Sequence, residues 1–452
     1  MIAAIRQRVS LIAVICLGIL AQGGVVSAQD DGRPLIVIPG IIGSELVNRR
    51  TGEVVWPKVQ RSKDDDLRLP ITADPLKSRD DLIAGDIIRS IKIGIFPRID
   101  VYQGLIDSFK SRAGYHEESW NDPTDKGAGK AIYVFPYDWR LDNVATAREL
   151  VRRIEALKKK LKRPDLKFDV VAHSMGGLIV RYAAMYGDTE LPSPIHRSAP
   201  WAGAKLFENI VLLGTPNEGS LDALYGFSGG SRWGPIPINL PWVQGISRFD
   251  VFTVPATYEL LPAPGTLNVV DQYFDPIAID LYEPETWSRY GWNPIDDPKF
   301  DREFTEEERK NAPAFFRAML ARTKHFYEAL SAVGDSSQGV SFDLIGSECK
   351  ETLDTLLIYR KGDRDQYRTL FKATSFSRTA GEKVPSSELK KVMYAEGDGV
   401  VTKRSFETWD INDRRGASIL RPASVMLVCE DHSRLATNSE VQDRLLALFG
   451  GK

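Results

Sequence analysis

The sequence predicts an α/β protein in which a mostly parallel sheet carries helices on both faces and a large insertion forms a cap. In the first half of the chain, short and wholly apolar runs alternate with amphipathic stretches, which is typical of buried parallel strands connected by helices. That alternation stops between about residues 220 and 385, where prolines and aromatic residues accumulate, and it returns near the C-terminus. This order predicts one domain that is interrupted by an insertion.

The predicted elements follow from the spacing of apolar residues. Core strands are expected at residues 34–39, 131–135, 168–172, 209–213, 391–395 and 424–428. Helices are expected at 101–112, 141–162, 178–186 and about 438–449, where apolar residues recur at helical intervals. The predicted boundaries are 29–219 for the first part of the core, 220–388 for the cap and 389–452 for the last part of the core.

Residues 1–28 have the pattern of a secretory signal peptide. Arg6 and Arg8 precede an almost wholly apolar run from Val9 to Leu20, and the small residues Val26–Ala28 form a cleavage motif. The apolar run has about 12 residues, whereas a membrane-spanning helix needs about 20. We therefore expect the mature chain to be exported to the periplasm, the cell surface or the medium. An uncleaved N-terminal anchor is the alternative.

The composition argues against some classes of function. Without residues 1–28, Lys+Arg falls from 59 to 57 against 61 Asp+Glu, and a net charge near −4 argues against a nucleic-acid partner. The five histidines do not cluster at the spacing of metal ligands, so neither a metal nor another cofactor is expected. Cys349 and Cys429 remain after cleavage. They could pair in an oxidising compartment, and two buried free thiols are the alternative.

A serine stands in the turn between a predicted strand and a predicted helix. Residues 172–177 read Ala-His-Ser-Met-Gly-Gly. This context is that of a nucleophile elbow, where the residues two before and two after the serine must be small, and Ala172 and Gly176 meet that need. Ser174 then lies at a helix N-terminus, where developing negative charge is favoured. We predict Ser174 as the nucleophile and His173 as a packing and hydrogen-bonding residue.

The serine needs a base, and the base needs an acid that orients it. Among the five histidines, His432 is the one that follows a predicted core strand and precedes the last helix. The acid should lie between serine and histidine along the chain. Asp398 directly follows the predicted strand 391–395 and has a glycine on either side. We predict His432 as base and Asp398 as acid, with Glu396 and Asp431 as rival acids.

An oxyanion in the transition state needs two backbone N–H donors. One is expected from Met175, which follows the nucleophile, and the other from the loop after an early strand. That loop is the glycine-rich segment Pro39–Ser44. We predict the amides of Met175 and Ile41 as the donors, with Ile42 as the rival for the second position.

Several motifs of the chain occur together in one known family. They are Leu35–Leu46 (LIVIPGIIGSEL), Pro136–Leu141 (PYDWRL), the AHSMGG turn, Leu213–Pro216 (LGTP), Gly397–Val401 (GDGVV) and His432. In this order they resemble the lecithin:cholesterol acyltransferase family, which includes lysosomal phospholipase A2 and the phospholipid:diacylglycerol acyltransferases. The resemblance covers most of residues 35–449. It implies the α/β-hydrolase fold, the triad Ser174, Asp398 and His432, the oxyanion amides of Ile41 and Met175, and a cap that helps to form an acyl pocket.

The chain departs from the animal members of that family in two places. Ile41 is apolar where those enzymes have an acidic or bulkier polar residue nearby, and no cysteine lies between Asp30 and Cys349. A lid tied by an early disulfide is therefore absent, and activation at a lipid surface is not implied.

The Tyr137–Arg140 segment has two interpretations. In one, Asp138 pairs with Arg140 and Trp139 packs, which would hold the loop after the second strand. In the other, Trp139 lines the acyl site. Ile42 and Trp139 are therefore candidate residues of a substrate pocket.

The predicted reaction is attack of Ser174 on an ester carbonyl with His432 as base, which gives an acyl-serine. Transfer to water would make the chain a lipase or phospholipase, and transfer to a lipid alcohol would make it an O-acyltransferase. An exported esterase or polyester depolymerase is the main alternative, and a non-catalytic binding module is a third. The expected partners are a lipid or other ester substrate and, transiently, a membrane surface. The acyl donor, the acceptor and the oligomeric state stay open.

Overall fold

The computed structural model describes residues 32–58, 66–92, 98–193, 198–229, 245–332, 339–360, 367–378, 381–408 and 420–450. The predicted signal peptide lies outside these residues. The strands, in chain order, are β1 (Leu35–Ile38), β2 (Ser44–Asn48), β3 (Val54–Trp56), β4 (Leu82–Ile87), β5 (Ser90–Ile91), β6 (Ile99–Asp100), β7 (His116–Glu117), β8 (Ala131–Val134), β9 (Phe168–His173), β10 (Phe207–Leu213), β11 (Asn268–Val270), β12 (Ser341–Ser347), β13 (Lys350–Leu353), β14 (Thr355–Arg360), β15 (Tyr367–Leu370), β16 (Phe376–Ser377), β17 (Lys383–Val384), β18 (Tyr394–Gly397) and β19 (Ser424–Val428).

The α-helices are α1 (Gln103–Ala113), α2 (Asn143–Lys160), α3 (Met175–Tyr186), α4 (Leu221–Gly229), α5 (Arg248–Thr253), α6 (Pro255–Tyr258), α7 (Pro284–Tyr290), α8 (Phe300–Glu303), α9 (Glu306–Ser331), α10 (Ser386–Met393), α11 (Lys403–Glu407) and α12 (Ser439–Phe449). Short 3₁₀ helices lie at Pro75–Lys77, Ala204–Leu206, Pro294–Asp296 and His432–Thr437. The longest helix, α9, begins with a capping box, in which the side chains of Thr305 and Glu308 each accept a hydrogen bond from the other's backbone N–H. Within the described residues, no helix has both the length and the apolar content that crossing a membrane requires.

Seven parallel strands form the central sheet, in the order β19-β12-β10-β9-β1-β8-β7. Every residue of β1 and β9 is buried, as their mainly apolar sequences predicted. Helix α2 packs against α3, and α1 packs against α12. The predicted fold class is confirmed. Because the strands are parallel, the loops that follow β1, β9, β10 and β19 meet at the same edge of the sheet.

The segment predicted as a cap, 220–388, contains one strand of the central sheet. Strand β12 pairs with β10 on one side and with β19 on the other. The assignment of this strand to the cap is therefore wrong. The sequence does not indicate a core strand here because the polar Ser341 and Asp343 interrupt the apolar run. Asp343 is buried, but Ser424 donates a hydrogen bond to it and Arg444 lies 3.7 Å away. These partners offset the cost of burying the carboxylate.

The rest of the segment has an apolar cluster of its own and its own small sheet. The sheet has the order β11-β14-β15. The cluster consists of the mutually packed rings of Phe227, Phe252, Tyr258, Trp287 and Phe316. The aromatic residues that suggested a cap therefore serve, in these positions, to pack the segment itself.

The strand predicted at residues 391–395 is also different in the structure. Most of it belongs to helix α10, in which Leu389 and Met393 are buried four residues apart on one face. The strand that follows, β18, lies outside the central sheet and pairs antiparallel with β13. The predicted strand ends at Ala395 and β18 ends at Gly397, so the loop that carries Asp398 still begins directly after a strand.

A disulfide joins Cys349 to Cys429. Cys349 lies between β12 and β13, and Cys429 directly follows β19. The bond therefore connects the two-stranded β13–β18 sheet to the edge strand of the central sheet. Of the two alternatives that the sequence left open, the structure has the paired one.

Candidate active site

Ser174 lies at the tip of a sharp turn between β9 and α3. Its backbone has φ 54° and ψ −125°, a conformation that L-residues rarely adopt. The turn is held from both sides, because Ser174 N donates to Leu213 O (2.8 Å) and Gly177 N donates to Ser174 O (3.0 Å). This is the geometry of a nucleophile elbow, and it holds the serine side chain away from the strand.

Two glycines make the close packing of this turn possible. A Cβ atom at Gly176 would lie 2.6 Å from Pro39 O, and one at Gly40 would lie 2.8 Å from Ser174 Cβ. Both distances are shorter than a Cβ contact allows. The elbow and the loop after β1 can therefore approach each other only because neither glycine carries a side chain.

The structure brings Ser174, His432 and Asp398 together. His432 Nε2 lies 2.9 Å from Ser174 Oγ, and His432 Nδ1 lies 2.7 Å from Asp398 Oδ2. The backbone supports this arrangement, since His432 N donates to Asp398 O at 2.9 Å. The other carboxylate oxygen, Oδ1, accepts from Val400 N and Val401 N. One oxygen of Asp398 is thus held by the loop, and the other faces the imidazole.

The partners of His432 determine its tautomer. An ionised carboxylate can only accept, so Nδ1 carries the proton and Nε2 is left to accept the Ser174 hydroxyl. Burial lowers the pKa of His432, but the charge of Asp398, its hydrogen bond and the charge of Asp222 raise it, and the net pKa lies above the usual value. The imidazolium is therefore stabilised at this position.

The loop predicted to supply an oxyanion donor lies beside the elbow. Gly43 N donates to Gly40 O (3.1 Å), which closes a turn around Ile41 and Ile42. Among the described residues, no hydrogen bond occupies the Ile41 amide. Met175 is the first residue of α3, and the first N–H groups of a helix have no acceptor within the helix. Both predicted donors are therefore available: Met175 directly follows Ser174, and Ile41 lines the same cavity as Ser174.

Ser174 opens into a cavity of about 260 Å³. The polar side chains that line it include those of Ser174, His432 and Asp222. The rest of the wall is mainly apolar and includes Ile41, Ile42, Ile88, Val101, Pro216, Ala223, Leu260, Val400 and Val401. The predicted pocket residue Ile42 lines this cavity. Within the described residues, no cluster of three or more His, Cys, Asp or Glu side chains could hold a metal ion.

The other candidate pocket residue, Trp139, is not part of the cavity wall. Trp139 is buried and packs edge-on against Trp56, with ring centroids 5.9 Å apart. Next to it, the fully buried Arg140 side chain binds both Asp138 and Asp80. Assignment of Trp139 to the pocket is therefore wrong. The structural interpretation of this segment holds, because a buried guanidinium needs carboxylate partners and Asp138 and Asp80 supply them.

Tyr137 of the same segment braces the loop beside the elbow. Its hydroxyl donates to Pro39 O (2.9 Å), and its N–H donates to Ser44 Oγ (3.2 Å). These bonds hold both ends of the loop that contains Ile41. The segment thus supports the site without lining it.

Two residues of the site were not predicted from the sequence. Asp222 lies in the first turn of α4, where Ser220 Oγ accepts from its N–H, and burial raises the pKa of its carboxyl to about 6. The Ser-x-Asp pattern before an apolar stretch indicates a helix start, but not a position in the cavity. Tyr102 contacts His173, which lies 71 positions later in the sequence, and nothing in the local sequence indicates this contact.

Comparisons with known proteins indicate which proteins this chain resembles. The family model described as lecithin:cholesterol acyltransferase matches residues 126–302. The uncharacterized protein YJR098C of Saccharomyces cerevisiae (strain ATCC 204508 / S288c) is 21% identical over 423 residues, which cover 85% of this chain and 57% of that protein. The chain thus spans little more than half the length of this relative.

A solved structure shows the same fold. The structure titled "The crystal structure of Tle4-Tli4 complex" matches with a TM-score of 0.53 at 15% identity, over 92% of this chain and 97% of that chain. The mature lipase BlEst2 of Bacillus licheniformis matches over 92% of this chain and 91% of that chain at 10% identity, but its TM-score of 0.37 is too low to carry an argument. The chain therefore has the α/β-hydrolase fold. The family match over residues 126–302 confirms the predicted resemblance to the lecithin:cholesterol acyltransferase family.

Proposed function

We propose that this chain cleaves lipid-type esters through an acyl-serine and transfers the acyl group to a lipid alcohol or to water. One observation carries the proposal: Ser174, His432 and Asp398 form a continuous hydrogen-bonded row, and its Ser174 and His432 line a mainly apolar cavity. A serine that is paired with an oriented imidazole is an activated nucleophile. An apolar wall beside it favours a hydrocarbon chain on the acyl side of the ester.

The proposed reaction has two halves. In the first, Ser174 Oγ attacks the carbonyl carbon while its proton passes to His432 Nε2, and Asp398 stabilises the imidazolium. The bond to the alcohol then breaks, and the departing alcohol takes the proton from His432. In the second half, water or another alcohol gives its proton to His432 and attacks the acyl-serine, and the bond to Ser174 Oγ then breaks as His432 returns that proton to the serine. The amides of Ile41 and Met175 would bind the oxyanion in both halves.

The acceptor decides whether the chain is a hydrolase or a transferase. The row of three residues serves both reactions equally, so the choice depends on how well the cavity excludes water and binds an alcohol. A transient contact with a membrane surface would deliver a lipid substrate to the cavity. No cofactor is needed for either reaction, since the serine, the imidazole and the amides supply all the groups.

We also propose that the chain acts outside the cytoplasm after export by residues 1–28. The Cys349–Cys429 disulfide supports this proposal, because such bonds form and persist in oxidising compartments. Periplasm, cell surface and medium are all consistent with it.

A product analysis tests the function. The purified chain is incubated with radiolabelled phosphatidylcholine or neutral-lipid esters, with and without a long-chain alcohol, beside Ser174→Ala. Ser111→Ala, on the outer part of α1, is the matched control, and its activity should equal that of the wild type. Acyl transfer to the alcohol that is lost in Ser174→Ala would establish a transferase, and free fatty acid alone would establish a hydrolase.

Two other outcomes are informative. If no lipid ester is cleaved but a fluorophosphonate still labels Ser174, the site is active and the substrate is a small ester or a polyester instead. If Ser174 is not labelled either, the catalytic proposal is wrong, and a non-catalytic binding module becomes the better interpretation.

A further inference from the structure

His173, directly before the nucleophile, has both ring nitrogens occupied. Its Nδ1 lies 2.7 Å from the hydroxyl of Tyr102, and its Nε2 lies 3.1 Å from the backbone carbonyl oxygen of His432. The Tyr102 hydroxyl oxygen in turn accepts from Gly40 N at 3.0 Å. We refer to Gly40, Tyr102, His173 and His432 as the Tyr102–His173 network.

The direction of each hydrogen bond in the network follows from its ends. A carbonyl oxygen can only accept, so His173 Nε2 carries a proton and donates to His432 O. His173 Nδ1 therefore accepts the Tyr102 hydroxyl proton, and the Tyr102 oxygen remains free to accept from Gly40. Burial lowers the pKa of His173 to about 3, so the ring is neutral wherever His432 can act as a base. Each polar atom of the network then has the partner it needs.

The network connects the two loops that flank Ser174. At one end, Gly40 precedes Ile41, the proposed oxyanion donor, and lies against Ser174 Cβ. At the other end lies the backbone of His432, whose ring centroid is 5.1 Å from that of His173. The Tyr102 ring packs edge-on against the His173 ring, with the two ring centroids 5.8 Å apart. His173, at the end of β9, is thus connected through Tyr102 to the loop that contains Ile41 and directly to the backbone of His432.

We infer that Tyr102 and His173 are positioning residues, which hold Gly40–Ile41 and His432 in the geometry that the transition state requires. The inference rests on the proposed function. It predicts that loss of the network lowers kcat more than it raises KM, because the ground-state substrate is bound mainly by the apolar wall. A residue that only packs the core would change stability and would leave kcat per folded molecule unchanged.

Three variants separate the two links of the network. Tyr102→Phe removes the hydroxyl. His173→Gln can place an amide N–H near the Nε2 position and keep the bond to His432 O, but it loses the acceptor for Tyr102. His173→Asn can keep an acceptor for Tyr102, but it loses the donor to His432. Tyr133→Phe is the matched control, because this buried hydroxyl donates to Gly127 O, away from the cavity.

We expect Tyr102→Phe to lower kcat about 10- to 100-fold with KM within about twofold, whereas Tyr133→Phe leaves kcat unchanged. The double variant Tyr102→Phe/His173→Gln should be no slower than the slower single variant, since both changes break the same bond. If Tyr102→Phe keeps the kcat of the wild type, or if the double variant shows the product of the two single losses, the inference is wrong.

A readout that needs no turnover distinguishes this inference from the proposed function. The ring N–H proton that His432 shares with Asp398 can be followed by NMR in the wild type, Tyr102→Phe and Tyr133→Phe. A resonance that shifts or broadens in Tyr102→Phe alone supports the positioning role even if no ester substrate is found. A resonance that is the same in all three proteins contradicts it, whatever the activity.

Discussion

The three residues of the proposed triad are supported by two different parts of the molecule. Ser174 and His432 follow β9 and β19, which are strands of the central sheet, whereas Asp398 follows β18, which pairs with β13 in a separate two-stranded sheet. The elbow is held by a neighbouring strand and by close glycine contacts. The acid is held by its own loop, by Gly399 N donating to Thr352 Oγ1 (2.8 Å) and, through Cys349, by the disulfide.

The central sheet and the loop after β18 therefore position different residues of the same proposed triad. The sheet determines where the nucleophile lies, because a shift of one residue in β9 would turn its side chains to the other face. The position of the acid depends on local bonds and on a covalent link, which can be changed without disturbing the sheet. The acid region is therefore where function and fold can be separated experimentally.

The largest expected effect comes from removing the charge of the acid. Asp398→Asn should lower kcat about 10³- to 10⁴-fold, because an amide no longer selects the tautomer with the proton on Nδ1 and does not stabilise the imidazolium. Steady-state hydrolysis of an ester, beside a thermal unfolding curve, measures this effect. A loss below about tenfold would mean that another group orients His432.

Glu396→Gln is the matched control for this variant. Glu396 is exposed on β18, two residues before Asp398, and it is the rival acid that the sequence allowed. We expect its kcat to equal that of the wild type. A large loss here would transfer the role of the acid to Glu396.

The second effect concerns the covalent link to the acid region. Cys349→Ser/Cys429→Ser should lower the free energy of unfolding by about 2–4 kcal/mol, since the bond closes a loop with a sequence separation of 80. Urea unfolding measures the change. A reducing agent should destabilise the wild type and leave the double variant unaffected. Equal unfolding midpoints in wild type and variant would mean that the loops of the acid region are held without the bond.

The smallest expected effect comes from removing the charge of Asp222, which lies neither in the nucleophile elbow nor in the loop that carries Asp398. Asp222 raises the pKa of His432, so Asp222→Asn should lower it. Because the base must be neutral to act, the acidic limb of the kcat/KM profile should then move to lower pH. A shift to higher pH would contradict the assigned sign.

Asp431→Asn is the control for charge alone. Asp431 is adjacent to His432 in the chain, but it is exposed and lies 3.4 Å from Lys350. Its charge is screened by water, so the acidic limb should stay in place. Equal shifts in both variants would mean that net charge, rather than the cavity position of Asp222, controls the base.

Much of the sheet and of the site could be predicted from the sequence. Strands β1, β9 and β19 were predictable because their sequences consist mainly of apolar residues. Ser174 and His432 followed from their places after such strands. Asp398 could be predicted as the partner of His432 although the strand before it was wrong, because a strand still precedes the glycine-flanked loop that carries Asp398.

The remainder depends on contacts that local sequence does not contain. Strand β12 was missed because Asp343 is polar, and its burial is made tolerable by Arg444, about 100 positions later. Trp139 was assigned to the pocket because an aromatic residue suits both a pocket and a core, and the packing partner Trp56 could not be known. Asp222 and Tyr102 reach the cavity through the tertiary fold alone.

The disulfide has a further consequence for how the protein survives damage. The segment between Cys349 and Cys429 contains Asp398, and the bond makes this segment a closed ring. A protease that cuts the ring once leaves both pieces attached to the same molecule, whereas a cut elsewhere separates the chain into two fragments. The acid of the proposed triad is thus carried on a stretch of the chain that a single cut does not release.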